Sequence, residues 1–295
     1  MMYKLLLYSL LVVGVVTATT AQPIIELMEN KKNNEIKSVV LKDLNFKTVM
    51  KTFYQKDLQY VKISELDQKN LQYVGIKNLG NIHEGKESGI LIFSAAKPYQ
   101  NKANESRYVL TVSQFAISEH NSQHIEMGKF AFSVTIIYIF KKNEHGQYQL
   151  VSHNENNCLL NDDFLYVPYP TDQIIKNIRN IGSKIKGYVE EQEYSQNGYS
   201  STKLRIIPFD EQTDLISLDV AEIGNDNEAT GNEETYNTHG DYHFLTSEHD
   251  GLYDIEIRYS GTKQIYIDDI AKIVPVNETY IYHYNEKQQK YIRVK

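Results

Sequence analysis

Two pairs of histidines have the spacing that a helical metal site needs. His120 and His124 lie four residues apart, as do His239 and His243, and a helix would place both imidazoles of a pair on one face, where they could bind zinc. The first pair lies in a polar segment that lacks the glutamate of a metalloprotease motif, and Gly240 interrupts the second pair. We therefore expect surface histidines, and a secreted metal-dependent hydrolase is only the third functional hypothesis.

A long acidic stretch, residues 206–257, is the most specific charge pattern in the chain. It contains fourteen Asp or Glu residues and no Lys or Arg, although the whole chain carries 31 basic residues. Solubility needs net charge but no segregation of sign, and unrelieved like charge costs self-repulsion, so the pattern indicates a surface that attracts a cationic protein. The predicted partner-binding residues are Asp226, Glu228, Glu233, Glu234 and Asp241.

The acidic stretch also has a simpler interpretation. A charge run is usually a solvated surface that keeps a protein soluble. The Gly and Asn content of residues 224–234 explains exposure of that loop without any partner. Both interpretations are compatible with the sequence.

An Asp-Gly turn followed by a hydrophobic strand pattern lies at residues 246–254. This segment resembles the calcium loop of FG-GAP and related β-propeller repeats, in which an Asp-Gly pair precedes a hydrophobic strand that contains another Asp. The resemblance implies calcium ligands at Glu248, Asp250 and Asp254, while Thr246 stands where the repeats have an Asp. The alternative is a plain hairpin turn, which the Asp-Gly pair also predicts. We expect no other cofactor.

The patterns around these residues predict a β-rich fold, either all-β or α+β. The aromatic residues comprise 23 Tyr, 10 Phe and no Trp, and Tyr favours strands because its ring packs well on a pleated, half-buried surface. A nearly continuous apolar and β-branched run at residues 130–140 predicts a central strand. Alternating patterns on either side of polar turns at residues 143–146 and 285–288 predict two hairpins.

Two antiparallel β domains built on hairpins are predicted on either side of a proline-containing linker. Pro cannot continue a helix or a central strand, so residues 166–170 are interpreted as the linker. The first domain is expected at residues 46–165 and the second at residues 171–295, which include the acidic stretch.

One amphipathic helix is predicted near residues 172–186, at the start of the second domain. Thr171 is its expected N-cap and Gly187 its expected end. The prediction depends on isoleucines that recur at helical spacing, at Ile174, Ile175, Ile178, Ile181 and Ile185. Their apolar face is expected to pack on a sheet or at the domain junction.

The N-terminus predicts export. Lys4 precedes an uncharged apolar run, residues 5–16, and then small residues that suit a signal peptidase. The run is shorter than the ~20 apolar residues that a membrane-spanning helix needs. We interpret residues 1–21 as a signal peptide and residues 22–45 as a polar lead-in, and expect a periplasmic or extracellular protein without a membrane span.

The combined patterns predict an exported, non-enzymatic binding protein. An inhibitor or immunity-type protein that covers a basic protein with its acidic face is the favoured function, and a structural or matrix component of the cell envelope is the alternative. No nucleophile elbow, phosphate loop or dinucleotide fingerprint occurs in the sequence. We expect no nucleic-acid partner, since the net charge is −7.

Overall fold

The described part of the chain is built mainly from two antiparallel β-sheets and contains two short α-helices. The computed structural model describes residues 39–63, 70–77, 88–116, 133–154, 170–211, 214–231, 234–268 and 270–294. This architecture confirms the predicted β-rich class. The predicted signal peptide, residues 22–38 of the predicted lead-in, most of the linker and the histidines at positions 120 and 124 lie outside the described residues.

The first sheet has seven strands in the order β1-β7-β6-β5-β4-β3-β2. Its strands are Val40–Leu41 (β1), Leu58–Gln59 (β2), Gln72–Ile76 (β3), Gly89–Gln100 (β4), Ser106–Ala116 (β5), Ser133–Lys142 (β6) and Tyr148–His153 (β7). The apolar run that predicted a central strand forms β6, which lies between β5 and β7. The predicted hairpin at residues 143–146 joins β6 to β7. β1 lies within the segment that the sequence indicated was a lead-in, and it pairs with β7.

Helix α1, Phe46–Tyr54, covers one face of the first sheet. The Asn45 side chain caps its first turn by accepting the Thr48 N–H at 2.9 Å. Val49, Met50 and Tyr54 are buried against the sheet. The helix is therefore held both by a local cap and by the apolar face that its sequence presents.

The second sheet has eight strands, and every strand pairs with its neighbours in sequence, from β8 to β15. These are Ile178–Asn180 (β8), Lys186–Gln196 (β9), Tyr199–Pro208 (β10), Leu218–Asp226 (β11), Asn237–His249 (β12), Leu252–Ile267 (β13), Ile270–Asn285 (β14) and Lys290–Arg293 (β15). The predicted hairpin at residues 285–288 joins β14 to β15 through a 3₁₀ turn. Each turn of this simple meander therefore places consecutive strands side by side.

The predicted amphipathic helix is much shorter than expected. Helix α2 spans Thr171–Lys176, and its N-cap is Pro170 and not Thr171. The chain then turns at Asn177 and forms β8, in which Ile178 pairs with Tyr188 of β9. Ile178 is β-branched and favours a strand, and it pairs with β9, whereas Ile181 and Ile185 lie in the turn before β9, where the Ile181 N–H donates to the Ile185 carbonyl at 3.2 Å. Neither helix in the described part of the chain has the length and apolar character needed to cross a membrane.

The two sheets pack against each other through a shared apolar cluster. The first sheet contributes residues from β5, β6 and β7, the second contributes residues from β9 and β10, and α2 contributes one isoleucine; the buried members are Val109, Ile137, Ile139, Val151, Ile174, Tyr188, Ile207, Phe209 and Leu215. Helix α2 thus lies at the junction between the sheets. Whether the two halves fold as separate domains stays a prediction.

An ion pair also joins the two sheets at the border of this cluster. Arg107 of β5 is only 7% exposed and forms a two-point contact with Glu211, which follows β10. The Nε–Oε1 distance is 2.6 Å and the Nη2–Oε2 distance is 2.7 Å. Asn101 also donates to Glu211 at 3.1 Å. A polar contact with defined geometry therefore supplements the apolar packing.

The second sheet has a projecting ribbon at one end. β12 pairs with β13 as far as Gly261, whereas β13 and β14 continue to pair with each other up to Ile267 and Ile270. The tip of the ribbon exposes Tyr266, Ile267 and Ile270. The opposite end of the sheet carries the turns between β12 and β13 and between β14 and β15, so the two ends have different chemistry.

Candidate functional site

Part of the acidic stretch is neutralised by arginines that come from outside it. Glu211 pairs with Arg107, as described above, and Asp219 on β11 lies 3.1 Å from Arg205 on β10. Glu256 pairs with Arg258, two residues further along β13. Charge that is segregated along the sequence is therefore partly mixed in space. Strand pairing brings Arg205 to Asp219, contact between the sheets brings Arg107 to Glu211, and alternation along β13 places Arg258 beside Glu256.

Three of the predicted partner-binding residues remain without such a cation. Asp226 is the last residue of β11, Glu228 lies in the 3₁₀ turn that follows, and Glu234 lies in the loop before β12. Asp226 accepts the Glu228 N–H at 3.4 Å, and Glu228 accepts the Asn237 side-chain N–H at 3.1 Å. Within the described residues none of the three forms an ion pair. We call Asp226, Glu228 and Glu234 the acidic rim.

The other two predicted residues are not part of this rim as described. Glu233 lies outside the described residues. Asp241 is on β12 directly opposite Arg258, while its neighbour Gly240 lies opposite Tyr259. Successive strand residues point to opposite faces of a sheet, so Asp241 and Tyr259 face opposite sides. The structure therefore does not bring Asp241 to the face that carries Tyr259.

A groove with a volume of about 350 Å³ lies on the face of the second sheet that carries Tyr259. Four tyrosines, one lysine and two glutamates are among the residues that line it: Tyr236, Tyr259, Tyr266, Tyr280, Lys263, Glu222 and Glu278. This tyrosine groove continues the buried cluster around Ile255 and Ile257, against which Tyr259 packs. Tyr259 therefore connects the groove to the core of the second sheet.

Hydrogen bonds hold two of the groove rings in place. The Tyr259 hydroxyl donates to the Glu222 carbonyl at 2.8 Å, and the Tyr280 hydroxyl donates to Glu278 Oε2 at 2.6 Å. The two ring centroids lie 5.7 Å apart, with the planes inclined by 59°. These contacts fix the hydroxyl ends, so the ring surfaces are held at the wall of the groove.

One short ion pair lies inside the groove. Lys263 Nζ lies 2.7 Å from Glu278 Oε1. Hydrogen bonds from Lys263 and then from Tyr280 lower the pKa of Glu278, and the hydrogen bond with Glu278 raises the pKa of Lys263. Burial raises the pKa of Tyr259 above its ordinary range. Tyr259 is therefore a neutral phenol at neutral pH, and it lies near the ion pair of Lys263 with Glu278.

The acidic rim adjoins the tyrosine groove. Asn225, the residue before Asp226, lines the groove, as does Tyr236, which precedes the strand that pairs with the end of β11. Burial is the main cause that raises the pKa of Tyr236, and the nearby Tyr199, Asp226 and Glu222 add to it. Asp226 therefore lies close enough to Tyr236 to affect its pKa, although strand alternation directs the Asp226 side chain to the face opposite that of Asn225.

The segment that resembles a calcium loop forms a tight hairpin turn. His249 pairs with Leu252, and the two residues between them have positive φ angles, 47° at Asp250 and 84° at Gly251. A two-residue turn with both angles positive matches the right-handed twist of the strands, and Asp-Gly is a favoured sequence for it. The hairpin turn that the sequence offered as an alternative is therefore confirmed.

The three carboxylates of that segment have separate partners. Glu248 accepts the Ser183 N–H and hydroxyl, each at 3.2 Å. Asp250 accepts the Glu286 N–H at 3.0 Å, which ties the β12–β13 turn to the β14–β15 turn. Asp254 is 2% exposed and faces inward. The structure does not direct the three groups at one point, and calcium binding stays a prediction.

Asp254 belongs to a cluster that the sequence analysis missed. Its Oδ1 lies 2.7 Å from His249 Nδ1, and its Oδ2 lies 3.6 Å from His283 Nε2. The two imidazoles stack with centroids 3.8 Å apart. Ser247 also donates to the carboxylate, so the serine contacts Asp254 and not a basic imidazole, unlike the serine of a nucleophilic triad. We call His249, Asp254 and His283 the His–Asp cluster.

The histidine pair within the acidic stretch is not helical, as expected. His239 and His243 both lie in β12, and four residues of strand span about 13 Å, too far for both rings to hold one ion. His239 Nε2 instead lies 3.2 Å from Asp241 at an exposed position. The i, i+4 spacing that suggested zinc therefore carries no site here, whereas His249 and His283 meet through strand pairing.

Comparison of the chain with profiles of known protein families, with curated proteins and with solved structures finds no match.

Proposed function

We propose that this protein is an exported, non-enzymatic binding protein, of the inhibitor or immunity type, which engages a basic protein partner through its second sheet. The observation that carries the proposal is the tyrosine groove with the acidic rim beside it. The signal-like N-terminus supports export. In this proposal the acidic surface that contacts the partner is the acidic rim of the second sheet, and not the whole acidic stretch.

The chemistry of the groove suits a cationic side chain. A guanidinium or ammonium placed over a tyrosine ring is attracted by the negative face of the ring, with a contribution of about 0.5–2 kcal/mol. One such contact already exists within the chain, because the Arg293 guanidinium lies 4.4 Å from the centroid of the Tyr280 ring. A partner's arginine or lysine could use the other rings in the same way.

The size of the groove limits what it can hold. A volume of about 350 Å³ lies at the lower end of the range for small-molecule pockets, roughly 300–1,000 Å³. This space suits one or two side chains and not a folded domain. The partner would therefore insert a basic residue into the groove, and the acidic rim would attract the basic surface around that residue.

Neutralising the rim should slow association with a cationic partner. The triple variant Asp226→Asn, Glu228→Gln, Glu234→Gln removes three exposed charges, and exposed charges act mainly on encounter rates. With an immobilised arginine-rich peptide as the probe, we expect an association rate that is lower by about tenfold at low salt, with a weaker dependence on salt. Surface plasmon resonance at several salt concentrations measures both quantities.

A matched control removes the same amount of charge elsewhere. Glu144→Gln, Asp172→Asn and Glu286→Gln are exposed positions away from the rim, and the combined variant should retain most of the association rate. Equal slowing by both triple variants would mean that only net charge matters. An unchanged rate in the rim variant would remove the main support for the binding proposal.

Removing one groove ring should weaken binding without affecting folding. Tyr266 is 71% exposed, so Tyr266→Ala deletes a cation-binding surface with little loss of packing. We expect the affinity for the same peptide to fall by about 0.5–1 kcal/mol, with the free energy of unfolding unchanged within about 0.5 kcal/mol. Tyr60→Ala is the control, because Tyr60 is 90% exposed and far from the groove in the chain. Equal effects of the two substitutions on affinity would contradict a role for the groove.

A further inference from the structure

The His–Asp cluster lies at the end of the second sheet opposite the projecting ribbon. His249 ends β12, Asp254 lies near the start of β13, and His283 lies near the end of β14. The central carboxylate is buried, whereas the side chains of His249 and His283 are 47% and 30% exposed. A buried carboxylate is costly unless it is compensated by hydrogen bonds or by positive charge, and here two imidazoles converge on it from the solvent side.

Three donor atoms of this cluster lie close enough to share one ion. One nitrogen of each imidazole and one oxygen of Asp254 all lie within 4.8 Å of one another. In a tetrahedral zinc site, ligand bonds of about 2.0–2.1 Å place neighbouring donor atoms roughly 3.3 Å apart. The His249 nitrogen lies 2.7 Å from Asp254 Oδ1 and the His283 nitrogen lies 3.6 Å from Oδ2, so the two histidines approach different oxygens of the carboxylate and an ion would bind one oxygen or both.

We propose that His249, Asp254 and His283 form a binding site for a divalent transition metal of the zinc type. Imidazole nitrogen suits zinc, copper and nickel, whereas calcium takes oxygen ligands. The site therefore differs in ligands and in metal class from the calcium loop that the neighbouring sequence resembles. It is also independent of the tyrosine groove, which lies towards the other end of the sheet.

Binding requires both imidazole rings to rotate. The imidazoles are stacked at an interplanar angle of 15°, so both lone pairs cannot meet at one ion until the rings turn about their Cβ–Cγ bonds. The exposed edges of both rings give them room to turn. With three protein ligands, a fourth coordination position would be left for a water molecule.

The ion would link the ends of the adjacent strands β12, β13 and β14. Asp250 already connects the two turns at this end of the sheet by accepting the Glu286 N–H at 3.0 Å. A metal held by β12, β13 and β14 would reinforce that connection. Because such a preformed set of ligands is absent from an unfolded chain, metal binding should also stabilise the fold.

Titration of the chelator-treated, full-length chain with Zn²⁺ tests the proposal. Isothermal calorimetry should show one zinc ion per chain, and a thermal melt should shift to higher temperature when zinc is added. His283→Gln and His249→Gln each remove a ligand at a partly exposed position and should weaken zinc binding about tenfold or more, on the scale that changes at metal sites produce. Cobalt substitution provides a spectroscopic signature of nitrogen ligation in the wild-type chain.

His239→Gln is the matched control, because His239 also lies beside a carboxylate, 3.2 Å from Asp241, on the same strand as His249. It should leave zinc affinity unchanged. If His239→Gln and His283→Gln lowered the zinc affinity equally, zinc would bind only to surface histidines, and the proposed site would be wrong. Absence of stoichiometric zinc binding, or calcium binding with no response to zinc, would overturn the proposal and leave a metal-free hydrogen-bonded cluster.

Discussion

Replacing Ile137 with alanine should lower the free energy of unfolding by about 3–4 kcal/mol, because Ile→Ala substitutions in packed cores cost roughly 2–5 kcal/mol. Ile137 is fully buried on β6, and it belongs to the apolar cluster that both sheets share. The substitution leaves a cavity whose walls belong to two sheets, and neither sheet can close it alone. Urea denaturation followed by circular dichroism measures the change.

The exposed Ile270 provides the control for this prediction. It is 63% exposed at the tip of the ribbon, so Ile270→Ala should change the free energy of unfolding by no more than about 0.5 kcal/mol. A comparable loss at both positions would mean that burial in the shared cluster does not determine the cost.

The shared cluster also predicts how the two sheets unfold. Ile207→Ala introduces the same type of cavity from the second sheet, and Ile207 is 1% exposed. If the cluster couples the sheets, both variants should shift one common transition. Two transitions, of which each variant moves only one, would instead support two independently folding domains.

Replacing Glu211 with glutamine should lower the free energy of unfolding by about 2–3 kcal/mol. Breaking a buried ion pair by removing one partner typically costs about 3–5 kcal/mol of stability. Because the Glu211 side chain is 27% exposed, we expect a cost at or below the lower end of that range. The substitution leaves the Arg107 guanidinium, 8% exposed, without its two-point partner. Glu105 retains its contact with Nη2 at 2.7 Å and limits the loss.

Glu256→Gln is the matched control for Glu211→Gln. Glu256 also pairs with an arginine, but Arg258 is 62% exposed and lies on the same strand. Exposed ion pairs contribute roughly 0–1 kcal/mol, so this variant should lose less than about 1 kcal/mol. If both variants lose the same amount, the contact between Arg107 and Glu211 does not contribute specially to holding the sheets together.

The fold class and both hairpins could be predicted because strands alternate and turns have specific residues. The length of α2 could not. Ile174, Ile178 and Ile181 have helical spacing, but Ile174 packs in the cluster between the sheets and Ile181 packs in the core of the second sheet. The short helix α2 and the strand β8 with the turn after it therefore produced the same spacing of isoleucines as one amphipathic helix. The pairing of Ile178 with β9 shows that the chain is a strand at this point.

The tyrosine groove and the His–Asp cluster were beyond sequence analysis for a different reason. Asp254 and His283 are separated by a complete hairpin, and their contact depends on the register that pairs Ile255 with Tyr282. The acidic stretch was visible in the sequence, but its partial neutralisation by Arg107 of the other sheet and by Arg205 of the neighbouring strand was not. The alternating Tyr280, Tyr282 and Tyr284 gave one usable signal, because alternation predicts that their rings share one face.

The projecting ribbon also leaves a long backbone edge open to other molecules. β15 pairs with β14 only from Tyr282 to Asn285, so among the described residues the outer edge of β14 from Ile270 to Tyr280 has no neighbouring strand. Such an edge can recruit a strand from another chain and start aggregation. Lys272 and Pro275 are both exposed on this edge. A lysine charge and a proline that lacks an N–H donor both discourage strand addition, so the ribbon can stay extended while the protein resists self-association.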